Sequence, residues 1–207
     1  MKIKFEINSK EFKCDLSNPL EISIPMIFNG EQPNTYNVDK ATSIAYETGD
    51  FIGDTRRGGG CNFEEYKIVP HCNGTHTECV GHISFERISI NETLKDVFIP
   101  STMISVTPEK AFDTNDNYIP QKNKEDFLIT KRILYEKLEE INKDFLIGII
   151  IRTLPNDDSK KSRDYIKNHP PFFSIEAMEY IVSLNIQHLL IDIPSVDRTF
   201  DEGKLTA

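Results

Sequence analysis

The sequence predicts an α/β protein with a strand-rich first half and a β-α-β unit in the second. Three observations carry that expectation. The first sixteen residues alternate apolar and polar side chains. One stretch in the second half, "ITKRILYEKLEEINK", has helical apolar spacing. Two continuous apolar runs, "DFLIGIIIRT" and "HLLIDIPS", flank a second helical stretch.

In order, residues 2 to 16 read as a hairpin. Ile3, Phe5 and Ile7 alternate, "NSK" turns, and Phe12, Cys14 and Leu16 alternate again. Residues 17 to 60 are loop-rich. "DTRRGGG" at 54 to 60 lacks the G-K-[ST] ending of a phosphate loop, so it reads as a flexible, solvated connection. Arg56 and Arg57 within it are secondary candidates for a substrate carboxylate. "EEYKIVP" reads as a strand, and "DVFIPSTMISVTP" as one or two. The helix within 129–143 turns Ile133, Leu134, Leu138 and Ile141 to one face, with Thr130 as N-cap. "DFLIGIIIRT" then suits a strand covered on both faces. "PPFFSIEAMEYIVSLN" is a second helix, capped by Ser174 and stopped by Asn185. Phe172 and Phe173 read as core.

At 207 residues, 38% hydrophobic and 28% charged, the chain is expected to be one globular domain over residues 1–207. A net charge of −9 argues against a general nucleic-acid binder, because phosphate contacts need surplus Lys and Arg. No run approaches a membrane span, and the first residues lack an apolar leader core. The four cysteines therefore read as thiols of a cytoplasmic protein. A homo-oligomeric assembly is expected.

The chemistry concentrates in "PHCNGTHTECVGH", residues 70 to 82, which holds three of the five histidines. His76 and Glu78 are two apart, so on extended backbone both leave one face. A turn at Asn73–Gly74 brings His71 toward the same point. Two imidazoles and a carboxylate suit Zn²⁺, and also Mn²⁺ or Fe²⁺. Three protein ligands leave room for a water whose pKa the ion lowers. Thr75 is placed to hydrogen-bond that shell. His82 is suited to acid–base work. A structural zinc site using Cys61, Cys72 and Cys79 lacks the usual C-x₂-C pairs.

"GTHTECVGH" resembles the H-x-G-T-H-x-D-x-P-x-H signature of the cyclase family of metal-dependent hydrolases, which includes kynurenine formamidases and isatin hydrolases. "FSIEAMEYIVSLNIQHLLIDIPSVD" resembles that family's L-S-x-E-A segment and the strand that follows it. The likeness runs over roughly residues 60 to 200. It implies a swivelling β/β/α domain of the cyclase type and a metal-dependent amidohydrolase acting on C–N bonds other than peptide bonds. The substrate would be a small amide, with an arylformamidase-like activity as the best named one. It implies His76 and Glu78 as ligands of Zn²⁺ or Mn²⁺, Glu176 on or beside the metal, and His82 as the catalytic acid–base. The gap-free counterpart of the first histidine ligand is Cys72. His71, one residue upstream, is the preferred ligand. Glu78 stands where the family has aspartate, and Val80 where it has proline. The family's usual C-terminal sheet segment has no counterpart after "PSVD". A metal-binding member without catalysis is the alternative. His169, with a loop role preferred, and Asp192, read as structural and pairing with Arg198 or capping a loop, lie outside the ligand set.

Overall fold

Asn8 and Ser9 adopt left-handed backbone conformations, φ 49° and 62°, and so close the N-terminal alternation into a two-residue hairpin. The hairpin opens the computed structural model, which describes residues 1–204 and 206. The strands up to residue 67 are β1 (Lys2–Ile7), β2 (Lys10–Asp15), β3 (Thr42–Ala45), β4 (Glu47–Thr48), β5 (Phe51–Ile52) and β6 (Glu64–Lys67). Then come α1 (Pro70–Asn73), α2 (Ile90–Thr93), β7 (Ser101–Val106), β8 (Glu109–Lys110), β9 (Phe127–Ile129) and α3 (Lys131–Leu138). The last elements are β10 (Gly148–Thr153), β11 (Phe172–Phe173), α4 (Ile175–Ser183) and β12 (His188–Ile191). The protein is thus α/β. Its chain gathers into two compact units: Met1–Ile22, Ile88–Asn156 and Pro170–Ala207 form the first, and Ser23–Arg87 with Asp157–His169 the second.

In the first unit β12, β10 and β7 form a parallel sheet in that order. The apolar run supplies its middle strand, and Ile149 and Ile151 are buried there. A strand bonded on both edges with helices against it exposes almost nothing, which is why its sequence does not alternate. Leu134 and Leu138 of α3 and Ala177 and Ile181 of α4 pack into the same core.

The α3 helix starts where its cap predicts, with the Ile133 N–H donating to Thr130 Oγ1 at 3.4 Å. It ends at Leu138, short of the expected 143. Asn142 opens a separate tight turn, accepting from the Asp144 N–H at 3.0 Å. That turn takes Asp144 and Phe145 out of the expected strand, so β10 begins only at Gly148.

Ser174 caps α4 through the Ala177 N–H at 3.1 Å, and its own hydroxyl donates to Asp116 Oδ2 at 2.7 Å. The same Asp116 oxygen accepts the first N–H of α3, from Lys131, at 2.8 Å. One carboxylate therefore ties two helix N-termini together, where their dipoles favour negative charge. Ser174→Ala removes a cap and one of the two donors to the Asp116 oxygen. It should cost about 1–2 kcal/mol, read as a lower urea midpoint at unchanged slope. Asn185, φ 56°, stops the helix as expected.

The second sheet, β11-β9-β8, divides the aromatic pair by strand alternation. Phe173 enters the main core and Phe172 joins Ala111, Tyr118 and Leu128 in a satellite cluster. The Tyr118 hydroxyl donates to Asp197 at 2.7 Å and accepts the Arg198 N–H at 2.9 Å. Burial, then the Asp197 carboxylate, hold that phenol well above its ordinary pKa. Asp192 accepts the Thr153 N–H and hydroxyl, at 3.0 and 2.9 Å, and Arg198 pairs with Asp126 at 3.1 Å. Asp192 thus joins the ends of two parallel strands.

In the second unit β3 and β6 pair antiparallel, and β4 and β5 form a short ribbon. Gln32 stands in for a missing strand partner: it accepts the Ala41 N–H at 2.6 Å and donates to the Ile27 and Ala41 carbonyls. The "DTRRGGG" segment is a folded turn rather than a loose connection. Asp54 caps it and binds the Arg56 guanidinium through both oxygens at 2.9 Å, while Arg57 pairs with Glu47. Both arginines are engaged with carboxylates inside the unit. Among the described residues no disulfide forms, and no helix is long and apolar enough to cross a membrane.

Candidate metal centre

Pro70 starts a single helical turn, where its fixed φ and missing N–H fit. The turn points consecutive side chains apart, which decides between neighbours. Cys72 and Asn73 turn inward, and His71 turns outward. Asn73 locks the turn by accepting the Val69 N–H at 2.9 Å. Burial raises the Cys72 thiol pKa, which works against a thiolate ligand there.

Gly74 leaves the turn extended, φ 179°. A Cβ at this position would lie 2.5 Å from the Met26 methyl carbon, so the bare backbone lets the 23–27 segment pass close by. Thr75 Oγ1 accepts the Ile24 N–H at 2.9 Å. The glycine and threonine of the motif thus anchor its backbone within the unit. The Thr75 hydroxyl accepts in this bond and keeps its own proton to donate.

Beyond Thr75 the chain runs without regular structure to an extended Cys79, then coils at Val80–His82. That path brings three imidazoles around one carboxylate oxygen. Glu78 Oε2 lies 3.8 Å from His71 Nε2, 3.5 Å from His76 Nε2 and 3.9 Å from His82 Nε2. His71 Nε2 is 3.0 Å from His82 Nδ1. The His76 Nδ1 lies 3.1 Å from the Gly74 carbonyl. One ligand atom each from His71, Glu78 and His82 fall within 4.8 Å of one another.

The donor set fits a divalent cation. Imidazoles and a carboxylate are borderline ligands for Zn²⁺ or Mn²⁺, and His71, Glu78 and His82 lie close enough together to hold one ion, with the His76 Nε2 3.5 Å from the same Glu78 oxygen. Burial lowers the His71 pKa, and His76 and His82 push it the same way against Glu78. A lowered pKa keeps that ring deprotonated near neutrality, the form that binds metal.

Glu176 belongs to the first unit, at the second position of α4. Both its oxygens are engaged. One accepts the Asn117 N–H at 2.7 Å and the other the Asn117 side-chain amide at 2.6 Å. Burial raises its pKa, but these donors and the helix start outweigh burial, and the net shift is downward. The sign follows from linkage: a depressed carboxyl stabilises the fold above its unfolded value of 4.5, and the benefit fades as pH falls below it. Glu176→Gln should therefore flatten the acid limb of stability below about pH 4.5, as thermal midpoints between pH 3 and 7 would show. Asn117 was not legible in the sequence, because "TNDNYIP" carries no motif and the partners are far apart along the chain. His169 is exposed on the second unit.

A family model described as "Putative cyclase" matches residues 14–198. Neither the curated proteins nor the solved structures compared yield a match.

Proposed function

The chain belongs to the cyclase family of metal-dependent hydrolases, and on that premise we propose that it cleaves a small amide-type substrate, a formamide or cyclic amide. The supporting observation is the approach of three imidazole Nε2 atoms to one oxygen of Glu78, at 3.5 to 3.9 Å. Zn²⁺ or Mn²⁺ held there supplies a water of lowered pKa and a positive charge beside the developing oxyanion. Glu78 contributes the negative charge that retains the cation. The histidine ring that does not ligate takes up the proton released on attack and returns it to the leaving nitrogen. The fixed backbone at Gly74 and Thr75 keeps these groups in register, which matters because small misplacements slow such steps.

An aryl formamide is the proposed substrate, in a cytoplasmic setting that suits four cysteines without a disulfide. The test combines metal content with turnover. Purified protein should carry about one Zn²⁺ or Mn²⁺ per chain, hydrolyse N-formylkynurenine, and lose that activity to a chelator. Metal without turnover across a formamide panel would leave a binding protein. Turnover insensitive to the chelator would overturn the metal reading.

A further inference from the structure

We infer that β6 is a contact between two copies of this chain, their β6 strands pairing antiparallel about a two-fold axis at Tyr66. The metal-dependent reading above is not needed for this.

The β3–β6 pair leaves one edge open. The Tyr46 N–H donates to the Phe63 carbonyl at 2.8 Å, one step beyond the pair in which Ala45 faces Glu64. Bonded and non-bonded pairs alternate along an antiparallel ladder. Ile44 and Glu65 are therefore a bonded pair, while Ser43 and Tyr66 turn their backbone groups away from each other. On the β3 side those groups are taken. The Asn29 carboxamide donates to the Ser43 carbonyl at 2.8 Å and accepts the Ser43 N–H at 3.2 Å. On the β6 side no group among the described residues takes the backbone N–H or carbonyl of Glu64 or Tyr66. Every side chain of β6 is exposed as well.

The charges on this edge select the partner and the register. Outward-pointing residues must face outward-pointing residues, so the two-fold axis between identical strands passes through a residue and not between two. An axis at Glu64 or at Glu65 sets that carboxylate against its own copy. An axis at Lys67 does the same with two ammonium groups. An axis at Tyr66 brings ring beside ring and sets Glu65 of each copy opposite Lys67 of the other. One step further, exposed Phe63 of one copy faces exposed Val69 of the other. Glu65 forms no ion pair among the described residues, and Lys67 touches only Asp39, in an exposed pair at 2.7 Å that contributes little. Charges on an edge strand ordinarily keep chains apart. Here they repel in three registers and attract in the fourth. The join turns two separate ribbons into one sheet of order β3-β6-β6-β3 and closes the open edge in both copies.

The test is sedimentation equilibrium on the full chain as purified. The parent should be a dimer in the low micromolar range. Glu65→Lys and Lys67→Glu each place like charges opposite one another twice, and each should raise the dimer dissociation constant about tenfold or more. The double variant E65K/K67E exchanges the two charges and should return the constant to near the parent value. Tyr66→Pro removes an outward N–H and no bond to β3, so it should give a monomer. Circular dichroism shows which variants are folded. Should Tyr66→Pro not fold, the charge variants carry the test, because their side chains are exposed. A parent that stays monomeric overturns the inference. So does a dimer indifferent to the single charge changes, or one that the double exchange does not restore.

Discussion

Glu78→Gln will release the cation and leave the metal-free protein as stable as before. The carboxylate is half exposed, with three histidine rings at 3.5 to 3.9 Å. Exposed pairs of this kind contribute within about 1 kcal/mol, so metal-free unfolding should hardly move. Metal binding is different. Glu78 is the cluster's single carboxylate, and a neutral amide oxygen neither matches the cation's charge nor offsets the cost of its lost water. Changing a residue that merely supports a ligand costs 10- to 100-fold in metal affinity, so losing the charged ligand should cost at least about 100-fold. Formamide hydrolysis should fall with metal occupancy. Metal titration and chemical unfolding of the same stripped sample separate the two effects. Unchanged metal affinity in the glutamine variant would remove Glu78 from the site.

Phe173→Ala is expected to produce the largest loss of stability in the first unit. The ring is fully buried in the core shared by the parallel sheet, α3 and α4. It precedes Ser174, whose N–H donates to the Ile129 carbonyl, so the backbone around it cannot readily close on the gap. A buried Phe→Ala change costs about 3–5 kcal/mol, transfer and cavity contributions together. For a chain of this size each kcal/mol lowers the thermal midpoint by about 2–4 °C. A fall of about 6–20 °C should follow, with metal affinity of the folded protein retained at low temperature. A drop of under 3 °C would mean that the core had collapsed around the site. Phe172→Ala, in the smaller cluster with Tyr118 and Leu128, is the internal comparison.

Where a local rule governed, the sequence was readable. The Asn8–Ser9 turn, the Thr130 and Ser174 caps and the buried middle strand follow from φ preferences, cap chemistry and apolar runs. The early end of α3 was less readable, because Asn142 competes for backbone donors that periodicity does not weigh. The gathering of ligand-type residues in 70–82 was plain from composition and spacing. Their arrangement was not. Spacing suggested that His76 and Glu78 share a face, but it says nothing about which other rings reach the same oxygen. Nor could it show that a helical turn at Pro70 sends His71 outward and Cys72 inward.

By itself the sequence determined the α/β class, the helix starts and the segment that carries imidazole and carboxylate together, since these depend on neighbours within a few residues. Only the tertiary structure decided that Asn117 holds Glu176, that Asp116 joins two helices, and that three imidazoles gather at one oxygen of Glu78. Those facts depend on the direction of side chains brought together by folding, and no periodicity along the chain encodes direction in space.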